Sequence, residues 1–241
     1  GKRFLSKGYK TAKPFIKIKG KEMIGHVVEN LITEDVSEII LICNSIYKEQ
    51  TRKALVNINP SKRVKIITFQ KESSGSAETI LFAHDNVESK NPVIVANCDQ
   101  LIRGGIADVI SAFETNSHEV LVPVYKGCNN SHLKIAEVGN LREDNQTDDA
   151  LSFRAVGIYL FEDWSIVYEH CRKQVDLKII NREPCITGAV LNLINSGAIF
   201  GTYDLSDRFI WGLRNRGLHV FIDALKFVIQ KFPRFGSRKP S

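Results

Sequence analysis

The 241-residue sequence contains one methionine, Met23, two tryptophans and seven prolines. No apolar run approaches the roughly 18–20 residues that a membrane span requires, and no leader-like stretch opens the chain. The shortage of proline, with 16 glycines, excludes collagen-like and low-complexity readings, and 43% apolar with 25% charged residues excludes a disordered one. A chain this long has ample material for a buried core. Cysteine is sparse and scattered, at Cys43, Cys98, Cys128, Cys171 and Cys185, with no C-x-x-C pair and no Cys/His cluster. Zinc-thiolate sites and a disulfide framework are therefore excluded. Cys43 and Cys98 end apolar runs, where a free cysteine serves as a small core residue, and a reducing cytoplasm fits best. With no methionine at position 1, the chain begins either after processing or part-way into a longer reading frame.

Acid is missing from both ends. Residues 1–21 hold eight Lys/Arg and no carboxylate, and residues 208–241 hold eight against Asp223 alone. The middle, 22–207, carries 17 basic and 26 acidic residues. A uniformly basic nucleic-acid binder would not look like this. A basic entry to an acidic domain suits a local anion such as phosphate; two solvated Lys-rich ends account for the charges equally well.

What is present alternates. Met23, Ile24, Val27, Val28, Leu31 and Ile32 make an apolar helical face. Short continuous apolar runs follow at Glu38–Cys43, Val64–Phe69, Pro92–Cys98 and Glu119–Tyr125, with helices expected at 47–58, 76–87 and 105–116. This spacing predicts an α/β fold, a three-layer sandwich around a mostly parallel sheet, with ligands at the carboxyl ends of the strands. The rhythm then breaks into a mixed second half. Strands are expected at 132–138 and 151–161 around a turn or exposed loop at 139–149. Helices are expected at 164–175 and 185–196, then a strand at 198–205, a last helix at 218–232 and a fraying tail at 233–241. No repeat or linker divides the chain, so 1–241 reads as one domain, with a nucleotide-binding half to about 125 and an acceptor half at about 126–232.

Four stretches suit nucleotide chemistry. In residues 1–16, glycines, Arg3 and Lys13 could wrap a polyphosphate: backbone N–H groups donate, Arg3 grips bidentately and Lys13 supplies a point charge. In 70–79, Gly75 and Ala77 allow close approach to a flat ring and Gln70 can read a base edge, while Ser76 serves equally as an N-cap. In Ala96-Asn-Cys-Asp-Gln100, Asp99 stands just after a buried strand, where a carboxylate coordinates Mg²⁺ or simply makes a turn. Gly157, inside a strand, signals close approach of a backbone or ligand, and Glu183, Thr187 and Asn192 are placed to hold a second substrate or to serve structure.

In order, these pieces resemble the sugar nucleotidyltransferase family, particularly members associated with capsule and surface-polysaccharide synthesis. Gly1-Lys-Arg3 matches the end of that family's Gly-rich loop, and Ala12-Lys-Pro14 its P-K-P with the first proline replaced. Gly20-Lys-Glu-Met-Ile24 resembles G-k-p-M-i, and Gln70 with Gly75-Ser76-Ala77 the base-reading segment. Asn97-Cys-Asp-Gln100 resembles the magnesium-binding strand end in the N-C-D-Q form of one subgroup, and Gly157-Ile-Tyr-Leu-Phe161 the strand that lines the sugar pocket.

The resemblance implies a GT-A-like fold and an enzyme in which a sugar 1-phosphate, or a similar phosphorylated metabolite, attacks the α-phosphate of a nucleoside triphosphate and expels pyrophosphate. It implies catalytic roles for Arg3 and Lys13. Nucleotide contacts fall on Gly1, Gln70, Gly75, Ser76, Ala77 and Asn97, and substrate contacts on Glu143, Gly157, Glu183 and Thr187. Mg²⁺ falls on Asp99 with Asp207 as second carboxylate. Its partners are a nucleoside triphosphate and a sugar phosphate, with neither nucleic acid nor membrane, and a homo-oligomer is compatible with it.

Departures accompany the likeness. Arg142-Glu143-Asp144 stands where an E-K pair is expected, and Trp211–Leu218 replaces a closing G-T-P-E-D-L with its acids exchanged for arginines. The family's opening strand has no counterpart, so an extension upstream of Gly1 is expected, and without it two open sheet edges. A GT-A glycosyltransferase is the rival enzyme, though Asp99 is followed by Gln100 and Leu101 rather than forming D-x-D. A degenerate nucleotide-binding homologue is the non-catalytic rival.

Overall fold

Helix α1 (Met23–Leu31) buries the apolar face that its 3.6-residue spacing predicts: Met23, Ile24, Val27, Val28 and Leu31 are all inaccessible to solvent. It forms one wall of a molecule seen in a computed structural model that describes residues 11–56, 58, 63–126, 134–135, 141–142, 153–177, 183–210 and 225–231. Before it, a 3₁₀ turn at Lys13–Phe15 leads into a short hairpin, β1 (Lys17–Ile18) and β2 (Lys21–Glu22).

The remaining elements follow in order. They are β3 (Val36–Asn44), α2 (Lys48–Leu55), β4 (Arg63–Phe69), α3 (Ser76–Leu81), β5 (Val93–Asn97), β6 (Leu101–Ile102), α4 (Ala107–Thr115) and β7 (Val120–Lys126). The second half supplies β8 (Lys134–Ile135), β9 (Leu141–Arg142), β10 (Phe153–Ala155), β11 (Ile158–Phe161), α5 (Trp164–Asp176), α6 (Ile186–Asn195), β12 (Phe200–Asp204), β13 (Phe209–Ile210) and β14 (Leu225–Lys231).

Alternation along the central strands builds three layers. In β3, Ile39, Leu41 and Cys43 face one core with α1 and α4, whereas Ile40 and Ile42 face a second with α3, α5 and α6. Strand β5 divides the same way, with Ile94 and Ala96 on the first side and Val93 and Val95 on the second. Both faces are covered, which is why these strands read as continuous apolar runs rather than alternating ones. Cys43 and Cys98 are buried, as core packing predicts.

The main sheet runs β4-β3-β14-β5-β11-β7-β10-β8-β9, with β12 beside β7. Strands β3, β4, β5, β7 and β12 share one direction, but direct parallel pairing joins β3 with β4 and β7 with β12, while antiparallel strands separate the others. The expected α/β three-layer fold is present, with more antiparallel neighbours than βα spacing predicted. Strands β10 and β11 follow one another along β7, interrupted at Val156–Gly157.

Two expectations are corrected. Residues 225–231 form a strand rather than the end of a helix over 218–232, and that strand lies between β3 and β5, antiparallel to both. Strands β3 and β5 are thus each paired along the side that faces β14. The run Leu225-Lys-Phe-Val-Ile-Gln-Lys231 holds β-branched and aromatic residues that fit a pleat. The position between two strands satisfies its backbone on both sides, which outweighs a short helical pattern. Leu141–Arg142, expected within a loop, instead pair with β8. The remainder of the 139–149 loop, residues 218–224 and the tail after 231 lie outside the described residues.

Candidate functional site

Because β3, β4, β5 and β7 run the same way, their carboxyl ends share one edge of the sheet. Four of the predicted residues meet there. Asp99 leaves β5 at that edge, and the Lys13 ammonium reaches it from the 3₁₀ turn, 2.7 Å from Asp99 Oδ2. The Lys13 side chain is only 6% exposed, so the pair is largely desolvated on the lysine side. Gln100 Nε2 donates to Asp99 Oδ1 at 3.3 Å, which fixes the orientation of its amide, because a carboxylate offers only acceptors. Gln100 Oε1 is then left buried without a hydrogen-bond partner.

Gly157 closes the other side. Its carbonyl accepts from Asn97 N–H at 3.0 Å, continuing the β5–β11 ladder. With φ of +92°, a β-carbon there would lie 2.4 Å from Asn97 Nδ2 and 3.1 Å from Gln100 Nε2. Glycine is thus required twice, by conformation and by space. The sequence suggested close approach of a backbone or ligand; what stands against Gly157 is the side-chain amides of Asn97 and Gln100.

The Gly75 loop leaves β4 at the same edge of the sheet. A β-carbon on Gly75 would stand 2.2 Å from the Pro184 carbonyl, so glycine lets this loop press against the entrance of α6. Ala77 N–H donates to Pro184 O at 3.1 Å, and Ser76 Oγ accepts from Ile186 N–H at 3.0 Å. Ser76 therefore does not cap its own helix; its hydroxyl holds the start of α6. Glu78 accepts from the Ser74 hydroxyl at 2.7 Å and from its N–H, closing the loop on itself.

The other predicted residues are placed differently. Thr187 is buried, and its hydroxyl is 3.0 Å from the Tyr159 hydroxyl, whose pKa burial pushes up to about 12. Gln70 and Glu183 are exposed. Asp207 is exposed too, in the turn before β13, whose register sets Phe209 against Ile102 and Ile210 against Leu101. The turn thus lies away from Asp99, and the structure does not bring the two carboxylates together. Gly1, Arg3 and Glu143 lie outside the described residues. Among the described residues no group of three His, Cys, Asp or Glu side chains is arranged for a metal ion.

Two positions around Asp99 carry contacts for which the sequence gives no signal. Gln100 was noted only as part of a motif. Asn30, on α1, was not noted at all: Asn30 Nδ2 donates to Ile102 O at 2.7 Å and Ile102 N–H donates to Asn30 Oδ1 at 2.9 Å. The side-chain amide thereby acts as a strand partner for β6 and fixes the segment that follows Asp99. The same helix also holds the Lys13 turn, through Met23 N–H to Ile16 O at 2.9 Å. A polar residue on a helix whose other face is apolar gives no sign in sequence that it reaches across 72 positions.

A buried lysine paired with a strand-end carboxylate lies on the carboxyl edge of the sheet, the edge at which the Gly75 loop leaves β4. Residues 1–178 match the sequence model of the nucleotidyl transferase family. The chain belongs to that family of enzymes. Solved structures share the fold of this nucleotidyl transferase at low identity. A nucleoside-diphosphate-sugar pyrophosphorylase from Vibrio cholerae RC9 is 18% identical over 88% of this chain and 91% of its own, with a TM-score of 0.70. An inositol-1-phosphate CTP transferase from T. maritima is 17% identical over 86% and 82%, with a TM-score of 0.63. HddC from Yersinia pseudotuberculosis is 18% identical over 84% of each chain, with a TM-score of 0.59. No curated protein matches the chain. Among the described residues no helix is long and apolar enough to cross a membrane.

Proposed function

We propose that this nucleotidyl transferase moves a nucleotidyl group from a nucleoside triphosphate to a sugar 1-phosphate or similar phosphorylated metabolite, releasing pyrophosphate, in the cytoplasmic synthesis of surface-polysaccharide precursors. The observation that carries the reading is the Lys13–Asp99 pair at the carboxyl edge of the sheet. The pyrophosphorylase and CTP transferase among the structural neighbours support it. The capsule assignment rests on the Asn97-Cys-Asp-Gln100 motif.

In this reading the chain to about residue 125 binds the triphosphate and the remainder the acceptor. Lys13 neutralises phosphoryl oxygens, joined by Arg3. The Gly75–Ala77 backbone lies under the base and Gln70 reads its edge. Asn97 and Gly157 shape the floor between nucleotide and acceptor. Glu143 and Glu183 meet the acceptor, and Thr187 acts indirectly, by holding Tyr159.

The Asp99 carboxylate and the unpartnered Gln100 Oε1 are hard oxygen donors side by side, a set that fits Mg²⁺ held by one or two protein groups plus substrate phosphates. When bound, the ion would neutralise charge on the phosphoryl oxygens. Asp207 would join it only if its turn moved. The acceptor phosphate is already an anion, so no general base is needed, and catalysis rests on positioning and charge stabilisation.

A screen of nucleoside triphosphates against sugar 1-phosphates for pyrophosphate release tests the proposal. Asp99→Ala and Lys13→Ala should each lower the rate by about 10²–10³. Wild-type-like turnover in either variant would refute the assignment.

A further inference from the structure

We propose that Lys13 is the resident counter-ion of Asp99, and that it bars a bare divalent cation from the site until a polyphosphate draws the ammonium away. The cation then enters together with the polyphosphate rather than before it. This rests on the nucleotidyl-transfer reading of the site and adds to it an order of entry.

Both oxygens of Asp99 are already engaged, Oδ2 by Lys13 at 2.7 Å and Oδ1 by Gln100 Nε2 at 3.3 Å. Among the described residues the ion pair of Lys13 is with Asp99, and the lysine side chain is 6% exposed against 25% for the carboxylate. A bare cation approaching Asp99 from solvent must evict an ammonium that has little water to return to. Leaving that ammonium buried and unpaired is strongly unfavourable, whereas the exposed side of Asp99 alone gives the cation one carboxylate. A polyphosphate changes both terms. Its oxygens accept the ammonium in place of Asp99, and they complete the coordination of a hard cation that binds few protein ligands. The lysine therefore serves two anions in turn, the carboxylate first and the phosphates afterwards. Gln100 is suited to the exchange. Its amide holds Asp99 Oδ1 throughout, and its buried Oε1 offers the cation a second oxygen once the lysine has moved.

Mn²⁺ with and without inorganic tripolyphosphate tests this, read as water-proton relaxation enhancement, which reports the ion on the protein and needs no turnover. Wild-type protein should take up the Mn²⁺–tripolyphosphate complex but bind bare Mn²⁺ weakly. Lys13→Met, and Lys13→Gln as a second variant should the first fold poorly, should bind bare Mn²⁺ at least about tenfold more tightly, since an opposing charge beside a carboxylate is removed. Adding Asp99→Asn to either variant should abolish that gain. Wild-type protein binding bare Mn²⁺ as tightly as Lys13→Met would overturn the proposal, as would a gain that survives loss of Asp99. Failure of the nucleotidyl-transfer reading looks different: wild-type protein would release no pyrophosphate, whatever the Mn²⁺ comparison gives.

Discussion

Asn30→Ala isolates the contact that fixes the segment after Asp99. Ile102 is 1% exposed, and its N–H donates to Asn30 Oδ1 at 2.9 Å. The β6–β13 register places Arg103 opposite Arg208, and that pair carries the bond Arg103 N–H to Arg208 O at 2.8 Å. Neighbouring residues in an antiparallel strand point their backbone groups opposite ways, so Ile102 N–H turns from β13 toward Asn30. Its carbonyl has a second donor, Gly105 N–H at 3.0 Å, and survives the truncation; its N–H does not. The expected loss is that of one buried unsatisfied donor, about 1–3 kcal/mol. At about 2–4 °C per kcal/mol for a chain of this size, the melting temperature should fall by about 2–12 °C.

Asn30→Asp gives the companion measurement. Its carboxylate still accepts from Ile102 N–H but sets a second oxygen against Ile102 O in place of the donor now 2.7 Å away. The folded state then favours the neutral acid, whose O–H restores the donor, so the folded-state pKa lies above the unfolded value near 3.9. The deficit of the Asp variant should shrink as pH falls through that folded-state pKa toward about 4, while the deficit of Asn30→Ala stays constant over that range. Urea unfolding midpoints at pH 4 to 8 read both, and pyrophosphate release at a temperature where each variant stays folded reads whether Asp99 has shifted. A displacement of about 1 Å is enough to cost about 10²-fold in rate. An Asn30→Ala protein within about 0.5 kcal/mol of wild type, or an Asp variant with no pH dependence, would refute the reasoning.

Other perturbations have equally definite signs. Gly157→Ala sets a β-carbon 2.4 Å from Asn97 Nδ2 at φ of +92°, so strain and overpacking together should cost about 2–5 kcal/mol in thermal or urea unfolding. Arg208 and Tyr203 hold the Asp108 carboxyl down at about 2, with Arg208 bonding it through both terminal nitrogens. A depressed carboxyl stabilises above its unfolded pKa of 3.8 and loses that contribution as pH falls toward 2. With the two side chains 33% and 39% exposed, solvent screening leaves about 1 kcal/mol, and Arg208→Met should remove that slope from the acid unfolding curve. Val228→Pro takes an N–H from a strand paired on both sides, with Ile40 and Val95, and should leave little folded protein by circular dichroism at 25 °C.

The first half of the fold could be read because burial on both faces of a central strand makes an apolar run, and such runs at 38–43, 64–69, 92–98 and 119–125 fall on β3, β4, β5 and β7. Their shared direction puts Asp99, which follows the third of these runs, at the carboxyl edge where such sheets bind ligands. Composition and spacing showed a lysine at position 13 with no carboxylate nearby in sequence, which suits a bound anion and a solvated basic end equally, and marked Gly75 and Gly157 as positions open to close approach.

Only the tertiary structure decided which groups meet. Lys13 and Asp99 stand 86 positions apart, and Asn30 and Ile102 stand 72 apart, so nothing local couples them. Thr187 and Tyr159, 28 positions apart, satisfy one another, because a hydroxyl on a helix buried against a sheet takes a nearby polar partner. The placing of 225–231 inside the sheet is the clearest case. A short apolar stretch carries no strong preference of its own, and two unpaired strands flanking a gap settle its conformation by supplying partners for its N–H and C=O groups on both sides.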